Sequence, residues 1–390
     1  MRKKMKRNAI LPILYALLGV LHLGALPSEA NDDINQRTLK LQPKADTDGD
    51  GVLSDAEEAA LIRKVLKRYP NADANRDGAL SDAEEAALIK MILRRLPRAD
   101  KDGDGVLSNK EWQAVIDQAD VPAGKVYVYK QVDGVSREME IYFPKGERAS
   151  KKPVAGIILF HGGGWGGGSR VAFAYQCNYF ASRGMVAATV TYRLRTKEDR
   201  AVLTEGQSTK RVCVPDVKSA IRWFKQHAKE LGVDPNRIVA GGGSAGGNIS
   251  LIGTTNPDLN DPNDPKGMDA SVSAYVLFNP ALSKSDANYP DVDFLQHLKA
   301  DFGPAIVFFG SEDKWLKNGW APAAAKMKSL GITSVEMQIA EGQTHAFFNK
   351  QPWKDLTLIA ADQFLTKLGY LQGKPSLSMP KTGETLRVKP

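Results

Sequence analysis

Cysteine is nearly absent from this chain: two residues, Cys177 and Cys213, in 390. That excludes a disulfide framework and any metal cage built from thiolates. A single Cys177–Cys213 bond and two separate buried thiols are the readings left. Histidine is almost as scarce, at five residues, so the candidates for a proton acceptor near neutral pH are few. Only one hydrophobic run is long, over residues 9–26, and no other stretch has the length to span a bilayer. A basic stripe with interleaved aromatics is also missing, which removes the footprint of nucleic-acid binding. The net charge of +8 misleads here, because Arg2, Lys3, Lys4, Lys6 and Arg7 supply five of the positives and +3 remains without them.

Those five charges begin a recognisable pattern. A basic start, the apolar run over 9–26 and the small residues of Ser28-Glu29-Ala30 together read as an export signal over 1–30. Cleavage would make the protein secreted or periplasmic; an uncleaved segment would anchor it to a membrane. Residues 31–45 are polar and read as a linker.

A repeat occupies 46–120. Asp46-Thr-Asp-Gly-Asp-Gly-Val-Leu-Ser-Asp-Ala-Glu57 recurs as Asp73 to Glu84 and as Asp100 to Glu111, with a period of 27. Each copy satisfies D-x-[DN]-x-[DN]-G-x5-E, the EF-hand loop. Calcium takes oxygen ligands, and the spacing supplies them: Asp46, Asp48, Asp50, the Val52 carbonyl and Glu57 in the first loop. Asp73, Asn75, Asp77, the Ala79 carbonyl and Glu84 serve the second. Asp100, Asp102, Asp104, the Val106 carbonyl and Glu111 serve the third. Only one helix fits between consecutive loops, ending near Pro70 or Pro97. A calmodulin-like sensor has separate helices for each loop. The array therefore reads as a small all-α structural or docking module loaded with Ca2+, with a regulatory switch as the alternative.

The pattern changes after Pro122. Strands are predicted over 125–129, 138–143, 154–160, 185–191, 238–240, 272–278, 305–309 and 335–339, and helices over 173–183, 214–231, 319–330 and 353–368. Such alternation implies an α/β fold, an eight-stranded, mostly parallel sheet covered on both faces. This domain is drawn over 121–371. The tail over 372–390 is polar and proline-bearing and receives no function.

Three signals in this domain carry chemistry. Gly242-Gly243-Ser244-Ala245-Gly246 fits G-x-S-x-G, a nucleophile elbow between a strand and a helix. His161-Gly-Gly-Gly-Trp165 directly follows the third strand and fits the H-G-G-G loop whose bare amides close around an oxyanion. Gly163, Gly164 and Ala245 are the expected donors. The base follows by elimination. His22 lies in the signal, His161 in the glycine loop, His227 in a charged helix and His297 in a polar stretch. His345 follows the eighth strand, where a loop can reach the serine. Gly310-Ser-Glu-Asp313 follows the seventh strand and offers an acid, Asp313 favoured over Glu312. The order Ser244, Asp313, His345 is that of this architecture.

Over about 125–371 the chain resembles the bacterial hormone-sensitive-lipase-like and BD-FAE-like esterases of the α/β-hydrolase superfamily. The segments that carry the likeness are His161–Trp165, Thr191-Tyr-Arg-Leu194, Asp216-Val-Lys-Ser-Ala-Ile-Arg-Trp223, Gly242–Gly247, Gly310–Asp313 and His345-Ala-Phe347. The resemblance implies carboxylic-ester hydrolysis with no cofactor for catalysis. Many relatives carry Asp before the serine, where this chain has Gly243. It also lacks a large helical cap, which favours short acyl esters or acylated glycans over long-chain lipids. Trp165, Trp315, Trp320 and Trp353 either line a sugar or aryl cleft or pack the core. A peptidase or amidase of the same fold and a calcium-dependent adhesion protein with an idle hydrolase domain are the competing readings. Neither the oligomeric state nor the acyl group follows from these signals.

Overall fold

Nine strands hydrogen-bond into one sheet in the order β1-β2-β4-β3-β5-β6-β7-β8-β9. The computed structural model describes residues 124–144, 152–196, 201 and 203–389, which belong to the unit Ala123–Pro390. The signal, the linker and all three calcium loops lie outside the described residues. Strands β1 (Lys125–Val132) and β2 (Val135–Tyr142) form an antiparallel hairpin that joins β4 (Val186–Val190) antiparallel. From β4 the sheet runs parallel through β3 (Val154–Phe160), β5 (Val233–Gly243), β6 (Ala274–Phe278), β7 (Ala305–Gly310) and β8 (Val335–Ala340).

All eight anticipated strands are present. The correction is a ninth: β9 (Leu386–Lys389), in the tail, pairs antiparallel with β8. A free edge on β8 would leave a row of unpaired amides and carbonyls, and β9 covers it.

The central strands are buried along almost their whole length, as strands covered on both faces must be. Seven helices are described: α1 (Ala174–Ser182), α2 (Val214–Gln226), α3 (Ala228–Leu231), α4 (Ala245–Thr255), α5 (Phe294–His297), α6 (Ala321–Ser329) and α7 (Trp353–Lys367). Helix α2 buries Val214, Val217, Ala220, Ile221 and Phe224, one stripe at helical spacing. Val217, Ala220, Ile221 and Phe224 share a core with Ile158 and Phe160 of β3 and Val186, Ala188 and Val190 of β4, while Val214 joins the core on β6 and β7. Thr189 turns the other way, its hydroxyl donating to the Arg170 carbonyl just before α1. The helix expected over 214–231 is broken at His227, and Gly232 closes α3 in a left-handed cap. The one expected over 319–330 is shorter, preceded by a π-helical turn at Leu316–Trp320.

Helices α1 and α7 are tied by a buried network. The Arg183 guanidinium meets the Asp362 carboxylate at 2.5 Å, and Tyr179 donates to the same oxygen at 2.6 Å. Cys177 and Cys213 are buried and form no disulfide. Among the described residues no helix is long and apolar enough to cross a membrane.

The parallel run brings the C-terminal ends of six strands, β3 to β8, to one edge of the sheet. Strand β3 lies between β4 and β5, so the chain departs in opposite directions on either side of it. Ligands in parallel sheets bind in the crevice at such a switch point. The loops after β3, β5, β7 and β8 carry the residues of interest.

Candidate active site

Ser244 occupies the turn from β5 into α4. Its backbone is left-handed, with φ 53°, a strained setting for a residue with a side chain. The two motif glycines explain how the turn fits. A Cβ on Gly242 would lie 2.1 Å from the Phe160 carbonyl oxygen, and one on Gly246 2.0 Å from it. Strand β3 therefore presses its last carbonyl against the elbow from below, and only glycine allows that approach. From the other side Ser244 N–H donates to the Phe278 carbonyl at 2.9 Å, and the Ser244 carbonyl accepts from Ala281 at 3.0 Å.

The structure brings Ser244, His345 and Asp313 together. Ser244 Oγ lies 2.7 Å from His345 Nε2, and His345 Nδ1 lies 2.7 Å from Asp313 Oδ2. An ionised carboxylate only accepts, so Nδ1 donates to it and leaves Nε2 to accept from the hydroxyl. The Asp313 side chain is fully buried and its Oδ1 accepts from Trp315 N–H at 3.0 Å. Glu312, its neighbour, is exposed, and its backbone amide is used to hold the His345 loop through the Gln343 carbonyl.

The other described histidines are committed elsewhere. His161 is buried, stacks on Tyr192 with ring centroids 4.3 Å apart and donates from Nδ1 to the Gly162 carbonyl at 2.8 Å. Burial pulls its pKa down to about 4, so it is a neutral brace for the glycine loop. His227 stacks on Trp223, and His297 donates to the Pro290 carbonyl. His22 lies outside the described residues.

The glycine loop abuts the serine: a Cβ on Gly162 would lie 3.2 Å from Ser244 Cβ. Among the described residues the amides of Gly163, Gly164 and Ala245 enter no turn or loop hydrogen bond. Gly163 and Gly164 follow Gly162 in that loop and Ala245 follows Ser244, so these three amides are the candidates to receive an oxyanion. Trp165 ends this loop. The Lys210 ammonium sits 4.3 Å from its ring centroid and pairs with Asp286 at 2.5 Å. Burial pulls the Lys210 ammonium down and pushes the Asp286 carboxyl up.

Three of the four tryptophans weighed for a cleft, Trp165, Trp320 and Trp353, are buried in the core, and only Trp315 is partly exposed. Trp320 packs on Phe309 and Trp353 on Phe347, at centroid separations of 5.8 and 5.9 Å. Trp315 lies 6.4 Å from the His345 ring, and Trp165 belongs to the glycine loop. The departure at Gly243 also has a cause: a Cβ there would come within 2.6 Å of the Phe348 ring and 3.3 Å of Phe173. The space that an aspartate needs is filled by aromatic rings.

Two polar residues escaped the sequence reading. Asp216 is buried and accepts from Arg193 and Lys130, joining the end of β4 to α2. Asn279 is buried and its Oδ1 accepts from Ala346 N–H at 3.2 Å, beside His345. Its one sequence signal, Asn-Pro after an apolar strand, reads only as a turn. Among the described residues no group of His, Cys, Asp or Glu is arranged to hold a metal ion; the calcium-loop residues lie elsewhere in the chain.

The BD-FAE family model matches residues 139–279, and an EF-hand model matches 98–116. Esterase LipC of Mycobacterium tuberculosis is 33% identical over 159 residues, covering 38% of this chain and 36% of that one. Mouse arylacetamide deacetylase is 30% identical over 179 residues, covering 45% and 41%. The chain thus spans less than half the length of these curated relatives. The apo form of Thermogutta terrifontis esterase 2 superposes with a TM-score of 0.57 at 35% identity, over 65% of this chain and 98% of that one. Its propionate-bound form matches at the same TM-score of 0.57. With nearly the whole of an esterase chain covered at that identity, the protein belongs to the esterases of the α/β-hydrolase superfamily.

Proposed function

We propose that the chain is an exported serine hydrolase that cleaves short-chain carboxylic esters through an acyl-enzyme on Ser244. The observation that carries the reading is the unbroken line from Asp313 through His345 to Ser244 Oγ, at 2.7 Å in both steps. Ser244 Oγ attacks the acyl carbonyl and His345 Nε2 takes its proton. Asp313 holds the imidazole in the needed tautomer and stabilises the imidazolium. The amides of Gly163, Gly164 and Ala245 receive the oxyanion. His345 returns the proton to the leaving alcohol, and water, activated by the same ring, clears the acyl group.

Support for a short acyl group comes from a relative: Thermogutta terrifontis esterase 2 has structures with propionate and with butyrate bound. Acetyl or feruloyl esters of polysaccharides are the glycan version of this substrate class. Export rests on the basic start and apolar run over 1–30. The EF-hand match over 98–116 supports Ca2+ at the third loop. Its donor set of Asp100, Asp102, Asp104, the Val106 carbonyl and Glu111 suits a hard cation, which would hold the repeat in shape.

A second reading, amide deacetylation by the same residues, draws on the arylacetamide deacetylase relatives. The purified protein should hydrolyse p-nitrophenyl acetate and Ser244→Ala should lose that activity by about a thousandfold or more. Retained activity in Ser244→Ala would remove the reading. A panel of acyl chain lengths, acetylated xylan and acetanilide separates short-ester, glycan and amide substrates. Faster turnover of acetanilide than of the matched ester would favour the second reading.

A further inference from the structure

We infer that Asn279 is a positioning residue that ties the loop of the general base to the nucleophile elbow; the inference rests on the roles proposed above for Ser244 and His345. Four consecutive residues, Phe278 to Ala281, hold both halves of the site. The Phe278 carbonyl accepts from Ser244 N–H at 2.9 Å, and Ala281 N–H donates to the Ser244 carbonyl at 3.0 Å. Between these two contacts, Asn279 Oδ1 accepts from Ala346 N–H at 3.2 Å. Its own N–H donates to the Phe308 carbonyl at 2.7 Å, which pins the segment to β7.

The bond to Ala346 holds a part of the site that packing holds weakly. The His345 side chain is 31% exposed, so its ring lacks a full wall of neighbours. Its Asp313 and Ser244 contacts fix the ring only while the backbone stays in place. Ala346, the next residue, is left-handed at φ 65°, a conformation that persists in a non-glycine residue only when the surroundings impose it. Asn279 is itself left-handed at φ 40°, which asparagine tolerates better than most residues. Its Nδ2 is buried with no partner among the described residues. An orphaned buried donor carries a desolvation cost that glycine at this position would avoid. The residue is therefore accounted for by its acceptor oxygen and by more than its backbone.

Two substitutions separate the acceptor from the backbone. Asn279→Gly keeps the left-handed conformation and removes Oδ1; Asn279→Asp keeps an acceptor in place and adds charge. On p-nitrophenyl acetate, Asn279→Gly should lower kcat by about 10- to 100-fold with KM within about twofold, the cost of a base displaced by less than an ångström or so. Labelling of Ser244 by a fluorophosphonate should slow by a similar factor. Asn279→Asp should recover kcat to within about threefold on the plateau of its pH profile. It should also move the acid limb of kcat/KM upward, because a carboxylate beside the base loop favours the imidazolium. Wild-type kcat in Asn279→Gly, or an Asn279→Asp variant as impaired as it and with an unmoved acid limb, would overturn the inference. If Asn279→Gly does not fold by circular dichroism, the acid limb and plateau of Asn279→Asp decide alone. An inactive parent enzyme would instead remove the function proposed above, so the two failures are distinct.

Discussion

Two adjacent acids show how much one position matters. Asp313 is buried against His345, while Glu312 points to solvent and contributes only its backbone amide. Asp313→Asn should therefore lower kcat by about 10^4-fold, through loss of the correct imidazole tautomer. Glu312→Gln should leave kcat within about twofold, and steady-state kinetics of the pair checks both. The histidines divide as sharply. His161 has its pKa pulled down to about 4 by burial, against about 6.5 in an unfolded chain. Between those values the unfolded state binds more protons, so stability rises with pH through that window and is lost as pH falls from about 6.5 to 4. His161→Phe keeps a ring against Tyr192 and removes the titration. Urea midpoints of this variant should fall less steeply between pH 6.5 and 4 than those of the parent; equal slopes would mean that His161 titrates normally. Sequence alone could eliminate His161 as the base from its place in a glycine loop. It could not show the reason, which is burial against Tyr192, 31 residues away.

At the scale of elements, what was readable followed burial. Strands β3, β4, β6 and β7 are covered on both faces and stand out as continuous apolar runs. Strand β9 is a different case: Leu386-Arg-Val-Lys389 is short, mostly exposed and set in a proline-bearing tail, so only its pairing with β8 makes it a strand. The break between α2 and α3 was equally hidden, because the apolar spacing continues through His227. The contact between α1 and α7 is another long-range event, joining residues 179 positions apart. Arg183 also donates to the carbonyls of Gln372 and Gly373, so the same cation fastens the chain beyond α7. Both side chains of the pair are almost wholly enclosed. Asp362→Ala leaves the guanidinium buried without its carboxylate, a change that costs about 3–5 kcal/mol. Chemical denaturation should record that loss, while kcat/KM at 25 °C stays near the parent value because no member of the network touches the site. A loss under about 1 kcal/mol would show that water or the nearby carbonyls replace the carboxylate.

For the molecule as a whole, the motifs of the site and the EF-hand motifs stand out in the sequence for opposite reasons. Each EF-hand loop is a local code of twelve residues, so one segment contains its full donor set. The Ser244 site is assembled from loops as far apart in sequence as Gly163 and His345; its motifs could be named singly, but the bond from Asn279 to Ala346 and the Phe348 ring over Gly243 exist only in the fold. The two codes also occupy different units of the chain, 1–122 and 123–390. That separation, together with the one-helix spacing of the repeats, leads to an expectation about calcium. The first and third loops each offer four carboxylates at positions 1, 3, 5 and 12, whereas Asn75 leaves the second with three. Affinity in such loops follows the count of charged ligands. Titration calorimetry of the full chain should therefore find three ions, the weakest bound at the loop holding Asn75, and Asn75→Asp should tighten that site alone. For the Ca2+ proposed at these loops, the like charges of each donor set repel once the ion is removed, so helical ellipticity should fall on chelation and return when the ion is restored. Because Ser244, His345 and Asp313 require no metal in the mechanism proposed, hydrolysis of p-nitrophenyl acetate should stay within about twofold of the calcium-loaded rate. Loss of turnover under chelation, with the β-sheet signal intact, would instead make the repeat a regulator of the esterase.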